Sequence, residues 1–291
     1  MYQSQRIAKF LSPYVNTEIV GIKTAGDNQN ISLTAQGSVG IFVTALRDAL
    51  SRDEVDLVVH SLKDVPTVED DRWELCAVPE RVNRSDVFVS RHGGDLLSLP
   101  AGAVVGTSSP RRAAWVLRHR PDVTVAPIRG NVDTRLRKVA EGEFDATLLA
   151  HAGLSRLGLL RPDMVVVDPT DLIPAPGQAA LGIEIRGGDE ATASVVSRLH
   201  NISAGFEVEA ERAVLRSLNA SCATAAGASA TFADGTLTLI ADVSTTDGAD
   251  NVRVELESTV HNMSQARALG DAAAQVLLAE GADKILQETS R

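Results

Sequence analysis

The chain has 291 residues, of which 44% are hydrophobic and 23% charged, with a net charge of −10. That length admits two or three domains with separate cores, and the acidic balance argues against bulk nucleic-acid binding. No run of about 18 apolar residues marks a membrane span, and MYQSQRIAKF lacks a signal-like apolar stretch, so a cytoplasmic protein without membrane association is expected.

In chain order, EIVGIKTA (18–25) reads as a strand, GIFVTALRDALSR (40–52) as a helix and VDLVVHSL (55–62) as a strand. Pro66 drives Val65 toward extended geometry, which places Lys63 and Asp64 in a strand-exit loop. Ligands of open α/β sheets bind at such strand ends. Asp64 there is a general acid/base or a hydrogen-bond acceptor for a developing cation; a Lys-Asp pair in a loop is also an ordinary surface feature.

Further strands are ELCAVP (74–79), DVFVS (86–90), AVVGTSS (103–109), VTVAPI (123–128), DATLLA (145–150) and MVVVDP (164–169). Helices start at Pro110 and near Asn131. The alternation predicts α/β layers with mostly parallel strands. Breaks fall near 80–84 and in the proline-rich stretch 172–178, after which GQAALGIEIR is again strand-like. The chain is expected to insert a second domain and return to its first.

Between Arg111 and Lys138, seven arginines and one lysine face two aspartates, a net of +6, which leaves −16 for the rest of the chain. In GTSSPRR, Ser109 suits an N-cap and Pro110 the first helical position. Two arginines in a first turn oppose the helix dipole, so a bound anion is expected there, the alternative being a solvated basic helix end. IRGNVDTRL repeats the pattern with Arg129 and Arg135. Arginine forks bind carboxylates in bidentate fashion, so two such junctions facing one cleft suit a ligand with several carboxylates. Trp115, the one aromatic near these arginines, sits on an apolar helix face, which favours core packing over base stacking.

From about residue 201 a helix, FEVEAERAVLRSL, leads into a small-residue loop, NASCATAAGAS. Strands TLTLIADVS and VRVELEST and a long Ala/Leu-rich helix follow, which reads as a separate α+β domain. Cys222, without apolar neighbours, is a candidate nucleophile or attachment point, whereas Cys76 in WELCAVP reads as core. Two cysteines make no disulfide framework, and no zinc-ligand spacing occurs, so no metal site is expected. His60 and His151 lie in apolar contexts with no triad spacing.

VVHSLKDVPT, VVGTSSPRR, PIRGNVDTRL, DATLLAHAGLSRLGL and IPAPGQAALGIE together resemble the porphobilinogen deaminase (hydroxymethylbilane synthase) family, in order over most of the chain. The resemblance implies an α/β fold with two periplasmic-binding-protein-like lobes around a cleft and a smaller C-terminal α+β domain. The lobes would be 1–80 with 179–198, and 81–178; the third domain would be 199–291. It implies a transferase of haem and tetrapyrrole biosynthesis that joins four porphobilinogen molecules head to tail, with loss of ammonia, on a dipyrromethane primer. The family's cofactor cysteine falls on Cys222, as a thioether, and its catalytic aspartate on Asp64. Cofactor contacts fall on Lys63, Ser109, Arg111, Arg112 and Arg135. Substrate contacts fall on Arg129, Arg135, Arg156 and Gln178. A cytoplasmic monomer handing its product to uroporphyrinogen-III synthase is implied as well.

The chemistry matches these residue types. Each pyrrole carries an acetate and a propionate, so a growing chain needs a row of arginines, and loss of ammonia leaves a cation that a carboxylate on the pyrrole N–H stabilises. Three features depart from the family. The usual opening strand and Thr-Arg-x-Ser segment have no counterpart before Gln3. Ala220-Ser221-Cys222-Ala223 lacks the glycines that usually precede the cysteine. Gly37-Ser38-Val39-Gly40 lacks the lysine many members carry in a mobile glycine-rich loop. A divergent, inactive member that only binds a polycarboxylate is the rival reading; it needs the cleft and its arginines but neither a modified Cys222 nor a free Asp64.

Overall fold

The computed structural model describes residues 2–22, 35–220 and 224–289. Its elements are α1 (Tyr2–Leu11), α2 (Ala35–Ser51), β1 (Leu57–Ser61), β2 (Trp73–Ala77), β3 (Asp86–Ser90), β4 (Val104–Gly106), α3 (Pro110–His119), β5 (Thr124–Ala126), α4 (Val132–Ala140), β6 (Ala146–Ala150), α5 (His151–Arg156), β7 (Val165–Val166), β8 (Leu181–Arg186), α6 (Glu190–Val196), α7 (Ile202–Ser217), β9 (Ala226–Ala233), β10 (Thr236–Ser244), β11 (Asn251–Thr259), α8 (Met263–Leu277) and α9 (Asp283–Thr289).

Three sheets organise the chain, with strand orders β1-β8-β2, β5-β4-β6-β3-β7 and β11-β10-β9. The first carries α1, α2 and α6, with Ile7, Leu11, Ile183, Ile185 and Val196 buried between them. The second buries Phe88, Val105, Trp115, Val116 and Leu148. In the third, α7 and α8 cover a face built from Ala228, Ala230, Leu237 and Leu239. Each large side chain removed from water in these cores contributes about 1.5–3 kcal/mol, before conformational entropy is set against it. The result is an α/β protein of two lobes and a smaller C-terminal α+β domain, and β8 returns the chain from the second lobe to the first sheet. No helix among the described residues is long and apolar enough to cross a membrane.

Four sequence expectations change. The strands are not mostly parallel: β4 pairs in parallel with β5 and β6, but β8 enters antiparallel to both β1 and β2, and β3 antiparallel to β6 and β7. The chain crosses between lobes at β3 and β8, and each crossing strand enters its new sheet against the direction of its neighbours. EIVGIKTA forms no strand over 18–22, which is exposed except for a half-buried Ile22, and 23–25 lies outside the described residues. Gly37–Gly40 belongs to the first turns of α2 rather than to a loop. Half of the small-residue run after Cys222 is strand β9, whose alanines let α7 pack close.

Candidate active site

β1 delivers the Lys63-Asp64 pair to the cleft. It ends in a single 3-10 turn, Leu62–Asp64, whose Leu62 is fully buried and whose Val65 is extended (φ −85, ψ 127), as a residue before proline must be. The amide of Leu62 donates to the Ala180 carbonyl (3.0 Å), so the turn is fastened to the segment that re-enters the first lobe. Gly177, at φ +72, lies against it; a Cβ there would sit 3.2 Å from the Lys63 nitrogen.

From Lys63 a chain of polar contacts runs into the second lobe. Lys63 Nζ donates to Gln178 Oε1 (3.5 Å), and Gln178 Nε2 donates to the Arg84 carbonyl (2.8 Å) and to Asp86 Oδ1 (3.3 Å). Asp86, fully buried on β3, accepts from Arg111 Nη2 (2.7 Å) and from Arg112 Nε (3.0 Å) and Nη2 (2.6 Å). The outer nitrogens of the two forks donate to the carbonyls of Ile173 (2.8 Å) and Leu148 (2.9 Å). Burial alone would push the Asp86 carboxyl up; the two guanidiniums overcome it and hold the group well below the usual carboxylate range.

The first-turn arginines thus have an internal anion, which corrects the inference that a ligand must balance both. Asp86 was missed from sequence, although an aspartate in a strand whose five residues are all buried is itself a signal of a buried partner. Ser109 is the N-cap of α3, as expected, but its hydroxyl makes no capping bond.

Between the lobes lies a cavity of about 240 Å³. Ser61, Lys63, Ala179 and Ala180 line it from the first lobe; Arg112, Asn131, Arg135, Gly153 and Arg156 are among those lining it from the second. Among the described residues, four cations line it and no carboxylate does. Ala179 holds φ 69, a left-handed conformation that alanine adopts only under constraint. Arg135 is aimed by its Nε donating to the Gly130 carbonyl (2.8 Å), while Asn131 caps α4 by accepting from the Thr134 amide (2.9 Å). Arg156 ends α5, and Gln3 of α1, with its amide oxygen turned toward it, accepts from Arg156 Nη2 (3.2 Å) and Ser61 Oγ (2.8 Å).

Burial lowers the pKa of Lys63, Arg135 and Arg156, and Arg112 lowers those of Lys63 and Arg135 further. Asp64 and Asp86 offset this at Lys63, but no carboxylate does so at Arg135 or Arg156 among the described residues, so a multiply charged anion would be drawn to the cavity.

Asp64 is partly buried and has neither a hydrogen bond nor an ion pair with another described residue. Burial raises its pKa, against the pull of Lys63 and His60. A carboxylate with free lone pairs and a raised pKa is suited to accept or return a proton. The structure therefore gathers Lys63, Arg112, Arg135 and Arg156 around one cavity, with Gln178 and Arg111 behind them. It does not bring in Asp64, Ser109 or Arg129: Asp64 adjoins Lys63 outside the lining, Ser109 stands at the start of α3 and Arg129 is exposed. Cys222 lies outside the described residues. Cys76 packs in the first core with its thiol pushed up to about 11 by burial.

Residues 1–194 match the family described as "Porphobilinogen deaminase, dipyromethane cofactor binding domain", and residues 206–279 match "Porphobilinogen deaminase, C-terminal domain". The chain belongs to the porphobilinogen deaminase family. Curated deaminases agree: that of Syntrophobacter fumaroxidans is 42% identical over 97% of this chain and 90% of its own length. Those of Thermobifida fusca and Corynebacterium diphtheriae are 43% and 41% identical, over 99% and 98% of this chain and 92% and 95% of their own lengths.

Among solved structures, a substrate-binding protein of an amino acid ABC transporter aligns over 67% of this chain and 76% of its own, at 16% identity and a TM-score of 0.35. An ancestral cationic amino acid solute-binding protein aligns over 68% and 77%, at 16% identity and a TM-score of 0.38. The fold assignment rests on the three sheets rather than on these alignments.

Membership makes this deaminase a transferase of tetrapyrrole biosynthesis with a dipyrromethane cofactor, and near full-length kinship does not favour the inactive binding-protein reading. The cavity suits that group chemically. A dipyrromethane bears an acetate and a propionate on each ring, and the cavity offers four cations with no competing acid.

Proposed function

We propose that the interlobe cavity is where this protein joins four porphobilinogen molecules head to tail with release of ammonia, and that Asp64 and Cys222 carry the chemistry. The supporting observation is the pairing of a four-cation cavity with a partly buried Asp64, which has no hydrogen bond or ion pair with another described residue, on the same turn as a lining residue. The dipyrromethane, when bound, supplies the pyrrole carbon from which the chain grows.

Lys63, Arg112, Arg135 and Arg156 bind carboxylates of the primer and the incoming unit, with Arg129 and Ser109 at the margin. Gln178 keeps Lys63 in register with the buried arginines. Arg111 shares Asp86 and so fixes the pose of Arg112. As ammonia leaves the substrate, positive charge is shared with the pyrrole N–H; Asp64 accepts that hydrogen bond and stabilises the charge. Its raised pKa equips it to take the proton released when the new bond forms and to pass it on.

The finer readings rest on the family resemblance: a thioether at Cys222, a monomer in the cytoplasm, the domain limits given above, and passage of the linear product to uroporphyrinogen-III synthase. The intact mass of purified protein tests the attachment. The expected mass exceeds that of the polypeptide by two pyrrole units, and Cys222→Ser removes the increment. A folded protein of bare polypeptide mass after exposure to porphobilinogen would reject the assignment.

A further inference from the structure

The buried face of α7 holds two adjacent charged residues that act in different directions. Glu211, fully buried, accepts from Arg81 Nη1 (2.7 Å) and Nη2 (2.9 Å), the Gly177 amide (2.8 Å) and the Ala230 amide (2.9 Å), so it is fully occupied at the interlobe crossing. Arg212, only 8% exposed, forms no ion pair with a carboxylate among the described residues, although Glu209 and Glu184 act on it electrostatically. Its Nη1 donates to the carbonyl of Val65 (3.0 Å) and its Nη2 to that of Pro66 (2.7 Å), the two residues that follow Asp64. Burial lowers its pKa to about 10, and Arg216 adds to the effect. A buried guanidinium whose hydrogen bonds go to carbonyls is an expensive placement, and its recorded bonds fall on one two-residue stretch.

Val65 also packs in a small core with Leu62, Val78 and Val208 of α7, but the backbone of this stretch has few other holds among the described residues. Pro66 has no amide to donate, and Val65 donates only back to Leu62 (3.1 Å). The next fastening is Glu69, which Arg267 of α8 reaches at 2.7 Å. The same helix that clasps the Asp64 turn ends at Ser217, where Asn219 at φ 49 turns the chain, five residues before Cys222 in the sequence.

We propose that Arg212 is a positioning residue: by gripping the Val65 and Pro66 carbonyls from α7, it fixes the Asp64 turn at a set distance from the end of the helix that leads to the primer. The Asp64 turn is then held by an element of another domain, the helix that precedes Cys222 in the sequence. This inference rests on the assignment of Asp64 and Cys222 made above.

The test compares holoenzyme carrying Arg212→Met, Arg212→Lys, Leu239→Ala or Asp64→Asn, each checked for primer by intact mass. Leu239 is a buried residue of the C-terminal core, and its truncation destabilises the same domain without touching the turn. For Arg212→Met, kcat per loaded molecule falls about tenfold or more while KM stays within about twofold, since misplacement harms the reacting geometry more than binding. Amides of 62–69 exchange faster.

The acid limb of kcat also moves. Lys63 and His60 are the charged or titratable groups facing Asp64, and both already favour its ionised form. Loosening the turn admits water, which relieves the burial that raises the Asp64 pKa, so the limb shifts to lower pH. Arg212→Lys, reaching one carbonyl, falls between wild type and Arg212→Met.

Wild-type kcat and an unmoved limb in Arg212→Met overturn the inference, as does a Leu239→Ala variant that reproduces all three changes. Should Arg212→Met fail to fold, a wild-type limb and exchange pattern in Arg212→Lys overturns it. If Asp64→Asn keeps wild-type turnover, the assignment of Asp64 fails instead. If Asp64→Asn is dead and Arg212→Met normal, only the present inference fails.

Discussion

Asp86→Asn keeps the shape of the side chain that binds both arginines and removes its charge. In the native protein that one carboxylate accepts three bonds from two guanidiniums and one from Gln178, all with side chains at most 8% exposed. Without it, Arg111 and Arg112 face each other as buried like charges, and removing one partner of a buried ion pair costs about 3–5 kcal/mol. Denaturant unfolding of the primer-free protein at neutral pH reads this directly. A double-mutant cycle with Arg111→Met should give a coupling of about 0.5–3 kcal/mol, because the two changes act on one network. The pH dependence carries the same sign. The folded pKa of Asp86 is depressed, so its contribution is complete above the unfolded value of about 4 and is lost as pH falls below it. A loss under about 1 kcal/mol at pH 7, with no coupling to Arg111, would refute the reasoning that Asp86 is the counter-ion of the pair.

Arg112→Leu should block primer assembly and Arg156→Leu should slow chain extension more than folding, each lost charge-assisted contact costing about 1.5–3 kcal/mol; intact mass and steady-state turnover separate the two. Glu184, buried and held bidentately by Arg47 (2.9 and 2.7 Å), has a folded pKa lowered to about 2 against burial, by Arg47 and His60. Its stabilisation is present above an unfolded value of about 4.3 and fades toward about pH 2, so acid titration of Glu184→Gln should lose that limb. Gly177→Ala should cost about 1–2 kcal/mol in thermal unfolding and raise KM, because alanine resists the left-handed backbone and presses on the Lys63 amide.

The strand exit carrying Lys63 and Asp64 was legible because its signals are local: an apolar run gives β1, and proline fixes the residue after Asp64. The strand-to-helix junctions carrying Arg111, Arg112 and Arg135 were legible for the same reason. Asp86 was not, since nothing in DVFVS says that its aspartate meets arginines from a helix 25 and 26 residues later. Strand direction was also hidden. Alternation reveals strands, but whether β8 returns beside β1 in parallel depends on the path through the second lobe. EIVGIK has a strand's pattern, yet 18–22 pairs with nothing in the first sheet, whose order is β1-β8-β2. β9 was read as loop because alanine and glycine have low strand propensity; there the requirement is close approach of α7, which small residues satisfy. Nothing in FEVEAERAVLRSL sets Arg212 apart from the other charges of that helix; only the fold shows it buried against Val65 and Pro66.

The central claim is that the cleft beside Asp64 builds the chain on a primer held at Cys222. It is tested most directly by mass spectrometry of the holoenzyme after limiting porphobilinogen. The account predicts a ladder of single pyrrole increments above the primed mass in wild type, the same primed mass without a ladder in Asp64→Asn, and bare polypeptide in Cys222→Ser. A ladder forming at the wild-type rate in Asp64→Asn, or any ladder on Cys222→Ser, would contradict it.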